Sequence, residues 1–404
     1  MTLKRVLFAA LHGYLDPGSG AAVCSRDVLE MLADQDVDCR ALSTGLLDFE
    51  EETAIETVLD PIGVRYERRK AVLGAGRSAE VIDLTLSKVR VTLLPTASSR
   101  FERAPTPEEA GNWLNLAEQA LDRFRPQIVL TYGGHPASIA MTERARRRGI
   151  PVVFHLHNFA YENRRGFDHV SGFITPSEYA RRHYARTLGI ESTVIPDPLR
   201  RERAVALDRA ARFVTFVNPQ PTKGATVFAR IASELALRRP EIPFLVVEGR
   251  GQAERLAYVG LDLSGLQNLH RMTNTPDPRD IYRVSRIVLM PSLWRETLGR
   301  VAMEALANGT PVLASDRGAL PETLGDAGFV FTIPERCTPT SGAVPTAHEV
   351  APWLATIERL WDDPAWERKH SELAIREAER WSEARLVQAY RDFFETFSAP
   401  KSST

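Results

Sequence analysis

Short apolar runs alternate with helical patterns along almost the whole chain. In the first half, the apolar run 5–13 has the length of a strand, and a helical pattern follows over 21–35. The alternation restarts with the apolar run 212–219 and a helical pattern over 224–238. Buried parallel strands read as continuous apolar runs, and alternating strands and helices form sheets that are covered on both faces. The pattern therefore predicts an α/β protein with two doubly wound, Rossmann-like domains.

The domain boundaries follow from where this alternation stops and restarts. Two prolines within 192–199 indicate a hinge, so we expect an N-terminal domain over 1–198 and a C-terminal domain over 199–375. Ligands are expected at the carboxyl ends of the strands, in a cleft between the domains. The last segment, 376–404, carries apolar residues at helical spacing, which predicts a helix with one apolar face.

One region of the first half is less regular. Within 45–107, the stretch 81–94 alternates with period two on either side of Ser87 and Lys88. This alternation predicts a β-hairpin added to the first sheet. The same region is expected to help line the acceptor side of the N-terminal domain, but nothing in it identifies an acceptor.

Composition narrows the functional classes. A chain of 404 residues with net charge −1 is long enough for two cores and gives no reason to expect nucleic acid as a partner. Cys24, Cys39 and Cys337 are widely separated, without Cys-x-x-Cys or Cys/His ligand spacing, so neither a zinc site nor a disulfide framework is predicted. The first apolar run is short for a signal peptide, and no stretch approaches the roughly 20 apolar residues of a membrane span. A cytoplasmic protein is expected.

The stretch RETLGRVAMEAL (295–306) carries the clearest candidate chemistry. It follows a strand-like run, and a helix is predicted to begin near Thr297 or Leu298. A helix N-terminus binds phosphate, a glycine such as Gly299 allows close approach, and carboxylates accept hydrogen bonds from sugar hydroxyls. Glu296 and Glu304 would therefore suit a ligand with a central phosphate and a polyol at each end, as in a nucleotide sugar. From spacing alone, a capping glutamate and a solvated helix glutamate remain the favoured interpretation.

A longer stretch changes that balance. PSLWRETLGRVAMEALANGTPVLASDRGALPETLGDAGFVF (291–331) resembles the donor-site segment of the retaining family-4 glycosyltransferases, which have the GT-B fold. The shared features are a proline-serine pair, two glutamates around a small glycine turn, a Gly-x-Pro-Val run, and a later glycine and glutamate. Weaker similarities follow in the expected order, including NPQPTKG (218–224) and VFHLHNFAY (153–161).

This resemblance assigns roles to the donor-site residues. It implies that Glu296 contacts the hydroxyls of the transferred sugar and that Glu304 holds the nucleotide ribose. The backbone N–H groups around Leu298 and Gly299 would bind the diphosphate. Lys223 would stabilise the charge that develops on the departing diphosphate.

One position departs from the family pattern. Asn218 stands where the family usually has an arginine about five residues before the lysine. Arg250, in the next loop, is a candidate substitute for that arginine. The departure leaves the geometry around the diphosphate open, but the class of donor is unchanged.

The resemblance also selects residues of the N-terminal domain. His157 matches a histidine whose ring or backbone contacts the sugar near the reacting carbon, and His155 competes with it because both point to one side of a strand. Gly18 and Gly20 would let the donor phosphate and the acceptor approach the first helix. The last helix would cross back onto the N-terminal domain.

The implied activity is retaining transfer of a hexosyl group from a nucleotide diphosphate sugar to a saccharide, lipid or small-molecule hydroxyl. No metal is expected, because the helix start and Lys223 would carry the phosphate charge. An epimerase or hydrolase of the same fold and a non-catalytic nucleotide-sugar-binding module remain alternatives. The basic segments 143–149 and 180–189 are best explained as solvated helix faces, with weak peripheral contact to the inner membrane face as the alternative.

Overall fold

The chain forms two compact α/β units. The computed structural model describes residues 2–49, 51–74, 76–100, 103, 105–249, 251–261, 263 and 265–398. The main division lies between Pro198 and Leu199, and the chain returns to the first unit at Glu383. Three residues around Ser177 also group with the second unit. The fold class is the predicted one, with two parallel-rich sheets.

The first unit is built on a nine-stranded sheet with the order β3-β4-β5-β2-β1-β6-β7-β8-β9. Its strands are β1 (Arg5–Ala9), β2 (Asp38–Thr44), β3 (Tyr66–Gly74), β4 (Arg77–Leu86), β5 (Val89–Leu94), β6 (Ile128–Thr131), β7 (Val152–His155), β8 (Gly172–Thr175) and β9 (Thr193–Val194). Its helices are α1 (Gly20–Ala33), α2 (Ile55–Ile62), α3 (Pro107–Phe124), α4 (Pro136–Arg147) and α5 (Glu178–Leu188), together with the last helix of the chain.

Both faces of this sheet are buried, as continuous apolar strands require. Val6 and Phe8 of β1 belong to one core cluster, whereas Leu7 and Ala9 belong to another. Successive strand residues point to opposite faces, so helices must cover the sheet on both sides. The helices therefore hold the strand ends in fixed positions.

The hairpin predicted over 81–94 is confirmed. β4 and β5 pair antiparallel, and the turn residues Ser87 and Lys88 both have positive φ. The apolar pattern does not predict a strand over 66–74, where β3 pairs antiparallel with β4 at the edge of the sheet. Most β3 side chains are exposed, so this strand lacks the apolar run that marks the central strands.

The second unit is built on a six-stranded parallel sheet with the order β12-β11-β10-β13-β14-β15. Its strands are β10 (Phe213–Val217), β11 (Phe244–Val247), β12 (Leu269–Met272), β13 (Ser285–Met290), β14 (Val312–Ser315) and β15 (Phe329–Phe331). Its helices are α6 (Arg201–Ala204), α7 (Ala225–Arg238), α8 (Pro278–Val284), α9 (Arg300–Ala307), α10 (Leu320–Leu324), α11 (Ala347–Asp362) and α12 (Pro364–Ala378).

The end of the chain consists of two helices, α12 and α13 (Glu383–Ser398), with a 3₁₀ turn over Glu379–Trp381 between them. α12 belongs to the second unit, and α13 belongs to the first. Leu386, Tyr390 and Phe394 of α13 are buried in the same core cluster as β1, so the apolar face predicted from their spacing packs inside the first unit. Among the helices that the structure describes, none is long and apolar enough to cross a membrane.

Candidate active site

In the second sheet, the order in which successive strands are added reverses between β10 and β13. These strands are parallel neighbours, and the sheet continues from β10 to β11 on one side and from β13 to β14 on the other. Ligands of doubly wound proteins bind outside the carboxyl ends of the strands at such a switch point. Lys223 follows β10 and Glu296 follows β13, so the topology brings two of the predicted site residues to this place.

Gly224 allows the loop that follows β10 to pack closely against the loop that follows β13. Gly224 has φ +87°, and a Cβ atom there would lie only 1.8 Å from the carbonyl oxygen of Pro291. The Thr222 carbonyl accepts hydrogen bonds from the backbone N–H groups of Leu293 at 3.0 Å and Trp294 at 2.9 Å. The loop after β10 therefore lies directly on the loop after β13, which requires glycine at position 224.

Lys223 and Glu296 are in direct contact. Lys223 Nζ donates to Glu296 Oε1 at 2.6 Å, and Ser292 Oγ donates to the same oxygen at 2.9 Å. The Glu296 side chain is 11% exposed and that of Lys223 33% exposed. The result is a partly buried cation–carboxylate pair at the strand ends, with one carboxylate oxygen held by both partners.

The backbone of Glu296 is also fixed. Its carbonyl accepts from Ala319 N–H at 2.8 Å, and a Cβ atom at Gly318 would lie 2.3 Å from that carbonyl oxygen. The glycine and alanine after β14 thus pack against the glutamate. Gly318, the glycine that follows the Gly-x-Pro-Val run in the sequence, therefore belongs to the same site as Glu296.

The helix after this loop starts later than the sequence predicted. α9 begins at Arg300, whereas the expected start was Thr297 or Leu298. Gly299 precedes the helix with φ +94°, and a Cβ atom there would lie 2.8 Å from Leu320 Cδ2. A left-handed residue cannot belong to an α-helix, so the turn ends at the glycine. Leu298 is buried, so its apolar side chain packs in the core and only its backbone carries groups that could bind a phosphate.

Glu304 lies inside α9 and is held at both carboxylate oxygens. The Tyr282 hydroxyl donates to Oε2 at 2.9 Å, and Arg300 Nε donates to Oε1 at 2.8 Å. Burial, followed by the adjacent Glu304 carboxylate, raises the pKa of Tyr282 well above its ordinary value. The phenol therefore stays protonated and orients the glutamate. Neither neighbour was selected from the sequence, although Arg300 is four residues from Glu304 on the helix.

Asn218 follows β10 directly, at the start of the loop that contains Lys223. Its side-chain amide nitrogen packs against Gly249, where a Cβ atom would lie 3.2 Å away. Its buried Oδ1 makes no hydrogen bond within the described part of the chain. Arg250, the candidate substitute for the missing arginine, lies outside the described residues.

In the first unit, His155 ends β7 and His157 lies two residues beyond it. The Tyr132 and His157 rings meet edge to face, with centroids 5.3 Å apart. Burial lowers the pKa of His157 to about 3, and burial, followed by repulsion from the protonated form of His157, lowers the pKa of His155 well below its ordinary value. Both imidazoles are therefore neutral near pH 7.

A hydrogen-bonded chain that the sequence analysis did not single out lies at the ends of β1 and β6. His12 Nε2 lies 2.7 Å from Asp16 Oδ2, and the Tyr132 hydroxyl lies 3.0 Å from His12 Nδ1. These three side chains are buried. The signal that would have revealed them is the position of each polar residue directly after a buried strand or in the loop that follows it.

The same loop contains the two predicted glycines. Gly18 N–H donates to Asp16 Oδ1 at 2.8 Å, and Gly20 is the first residue of α1. Burial raises the pKa of Asp16, but the His12 side chain, together with the N–H groups of Asp48 and Gly18, outweighs burial and lowers it overall. Asp16 is thus an ionised residue that shapes the loop before α1. Gly20 has open space at its Cβ position, whereas a Cβ at Gly18 would meet Phe49 at 2.9 Å.

Similar proteins of known sequence include two bacterial glycosyltransferases. A D-inositol 3-phosphate glycosyltransferase of Corynebacterium kroppenstedtii is 31% identical over 207 residues, covering 48% of this chain and 42% of the relative. A phosphatidyl-myo-inositol mannosyltransferase of Mycolicibacterium smegmatis is 32% identical over 174 residues, covering 41% of this chain and 45% of the relative. The matched region thus spans somewhat less than half the length of these relatives.

The fold recurs in solved structures, including a glycosyltransferase of Rickettsia africae, which superimposes with a TM-score of 0.70 over 100% of both chains, at 14% identity. The Anabaena protein HepE, solved in complex with UDP and glucose, superimposes with a TM-score of 0.67 over 97% of this chain and 100% of its own, at 16% identity. Family models match both halves: residues 18–203 match Glycosyltransferase Family 4, and residues 211–340 match Glycosyl transferases group 1. The chain belongs to the family-4, group 1 glycosyltransferases and has their GT-B fold.

Proposed function

We propose that this chain is a retaining glycosyltransferase. It would move a hexosyl group from a nucleotide diphosphate sugar to a hydroxyl acceptor, with no metal ion at the diphosphate. The observation that carries the proposal is the contact between Lys223 and Glu296 at the switch point of the second sheet. A cation and a carboxylate side by side suit a ligand that presents phosphate oxygens and sugar hydroxyls next to each other.

The lysine can serve both groups. Its ammonium has three N–H donors, of which one goes to Glu296 and two remain for phosphate oxygens. As the bond between the sugar and the diphosphate breaks, negative charge grows on the leaving phosphate, and a fixed cation stabilises it. The backbone around Gly299 and the start of α9 would add N–H donors to the same phosphate.

The glutamates would hold the two sugars of the donor. Glu296 Oε1 is occupied by Lys223 and Ser292, which leaves Oε2 to accept from the hydroxyls of the transferred sugar. Glu304 accepts one hydrogen bond at each oxygen, and each carboxylate oxygen has a second lone pair for a ribose hydroxyl. Tyr282 and Arg300 would orient Glu304 before the nucleotide binds.

The stereochemical part of the proposal rests on the family resemblance. The acceptor would attack from the face that the diphosphate leaves, and a phosphate oxygen would take the acceptor proton. Because His157 is neutral near pH 7, it would contact the sugar as a hydrogen-bonding group without adding charge. At this step the protein would contribute to the rate mainly by positioning the donor and the acceptor.

The acceptor class is suggested by the two relatives. Both names specify an inositol that carries a phosphate, once as a free inositol phosphate and once in a lipid. We propose an inositol phosphate hydroxyl as the first acceptor to test. The donor proposed first is UDP-glucose, since HepE was solved with UDP and glucose.

The test combines donor and acceptor. Purified protein is incubated in Mg²⁺- and Mn²⁺-free buffer with UDP- or GDP-sugars, with and without inositol 1- or 3-phosphate. We expect nucleotide diphosphate release that depends on the acceptor, and NMR of the product should show the donor's anomeric configuration. An inverted product would refute the retaining mechanism, and a strict need for added Mg²⁺ would refute the metal-free diphosphate site.

Three other outcomes would identify the alternatives. Nucleotide diphosphate release without an acceptor would indicate a hydrolase. Conversion of the donor sugar without that release would indicate an epimerase. Saturable nucleotide binding without turnover across a wide acceptor panel would indicate a binding module, which intact Lys223, Glu296 and Glu304 argue against.

A further inference from the structure

Four potential metal ligands meet in the core of the first unit. Cys24 lies on α1, His155 ends β7, His157 follows it, and Asp197 follows β9. One ligand atom from each of them can be chosen so that all four lie within 4.8 Å of one another. The four residues come from three separate segments of the chain, so the His155–His157 spacing alone could not have predicted the group.

His155 gives an independent reason to place a ligand here. It is completely buried, and within the described part of the chain neither of its ring nitrogens makes a hydrogen bond. The nearest carboxylate oxygen, Asp197 Oδ1, lies 3.6 Å from Nε2, which is beyond hydrogen-bond distance. Buried polar atoms without a partner are rare in native proteins and call for an explanation such as a bound ion.

The surrounding packing holds the two histidines and the cysteine in place. The His155 and His157 rings lie 3.8 Å apart between centroids, tilted by 34°. Cys24 is completely buried, and its side chain makes a hydrogen bond with the Tyr390 hydroxyl of α13. Outer hydrogen bonds of this kind orient ligands in metal sites.

We infer that Cys24, His155, His157 and Asp197 together bind one divalent transition-metal ion of the Zn²⁺ class. Sulfur, two imidazole nitrogens and a carboxylate oxygen form a donor set that Zn²⁺ accepts, whereas Mg²⁺ and Ca²⁺ prefer oxygen alone. A tetrahedral Zn²⁺ site holds its ligand atoms about 3.3–3.7 Å apart, so side-chain movements of about 1 Å would close this one. Binding would release the Cys24 thiol proton to solvent.

The inferred site would be structural. Four protein ligands fill a tetrahedral zinc ion and leave no position for a substrate. The ion would link α1 to the ends of β7 and β9 and would fix the ring of His157. The inference does not depend on the proposed transferase activity, but it shares His157 with it: one ring nitrogen would bind the ion, and the other nitrogen or the backbone would remain for the transferred sugar. The diphosphate site, for which no metal is proposed, is a different place.

The direct test is metal binding by the full-length protein. After treatment with a chelator and its removal, the protein is titrated with Co²⁺ and with Zn²⁺. We expect one Zn²⁺ per chain by elemental analysis, a rise of several degrees in Tm, and with Co²⁺ a tetrahedral visible spectrum with a thiolate charge-transfer band. The Co²⁺ spectrum needs only the unmodified chain, so it stands even where a variant fails to fold.

Variants then identify the ligands. Cys24→Ser should remove the thiolate band and weaken Zn²⁺ binding at least tenfold, and Asp197→Asn should weaken binding while keeping the band. Cys39→Ser is the matched control, because Cys39 is another buried cysteine of the first unit and is not one of the four ligands. Absence of stoichiometric binding by the unmodified chain, or equal binding and spectra in Cys24→Ser and Cys39→Ser, would overturn the inference.

Discussion

Glu296 is held in place through both its side chain and its backbone. Its Oε1 atom is held by Lys223 and Ser292, and its backbone carbonyl is held by Ala319. We predict that Glu296→Gln lowers turnover at least about 100-fold, because the amide can no longer accept at both positions or balance the lysine charge. Nucleotide diphosphate binding should change by less than about tenfold, which calorimetry with UDP would measure.

Glu335→Gln provides the matched control for this prediction. Glu335 is an exposed glutamate of the same unit, and its variant should keep both turnover and nucleotide binding. If Glu296→Gln lost nucleotide binding in proportion to turnover, the glutamate would be a general determinant of the site and not a contact to the transferred sugar.

Gly224 carries a second prediction at this scale. A Cβ atom there would lie 1.8 Å from the Pro291 carbonyl oxygen. Gly224→Ala must therefore push the loop that contains Lys223 away from the loop after β13. We expect a Tm lower by several degrees and UDP binding weakened at least about tenfold. Gly342→Ala is the control, because Gly342 also has positive φ but open space around it, and it should cost only about 1 kcal/mol. Similar losses in the two variants would show that the close approach is unimportant.

Individual residues differ in how far the sequence could place them. Lys223 and Glu296 could be selected because each follows an apolar strand within a recognisable motif. Their mutual contact could not be selected, because it depends on which two strands become neighbours in the sheet. The buried chain of Asp16, His12 and Tyr132 was missed for the same reason, since 120 residues separate the last two.

Elements were predicted most reliably where apolar periodicity was strong. The helix expected over 224–238 agrees with α7, and the hairpin over 81–94 agrees with β4 and β5. The edge strand β3 was missed because its side chains are mostly exposed. The helix of the motif starts at Arg300 and not at Thr297, because left-handed Gly299 interrupts a pattern that periodicity alone would continue.

The last helix allows a prediction about an element. Phe394 is completely buried in the core of the first unit, so Phe394→Ala should lower the free energy of unfolding by about 3–5 kcal/mol. Thr396→Ala, an exposed position on the same helix, should change it by less than about 0.5 kcal/mol. Urea unfolding monitored by circular dichroism measures both. Equal, small effects would mean that α13 is dispensable for the stability of the first unit.

At the scale of the whole molecule, the two units repeat one architecture with different chemistry. Each places polar side chains after parallel strands at the centre of its sheet. The second unit places Lys223 and Glu296 there, whereas the first places histidines, a tyrosine and Asp16. Apolar periodicity was sufficient to predict this repeated architecture, because both sheets are buried on both faces. It could not predict which side chains meet, since those contacts depend on strand order.

The pH dependence of stability tests the buried charge in the first unit. The pKa of Asp16 is lowered overall, because the His12 side chain and two backbone N–H groups outweigh burial. A carboxyl whose pKa is lower in the folded than in the unfolded state adds stability above its unfolded pKa of about 4, and this contribution is lost as the pH falls through the folded pKa. Asp16→Asn should therefore destabilise the protein by about 1–3 kcal/mol at pH 7. The difference from the unmodified chain should shrink below pH of about 4.

Asp60→Asn, at an exposed position, is the control and should follow the unmodified chain at every pH. A difference between Asp16→Asn and the unmodified chain that stays constant from neutral to acidic pH would show that Asp16 contributes through shape and not through its charge.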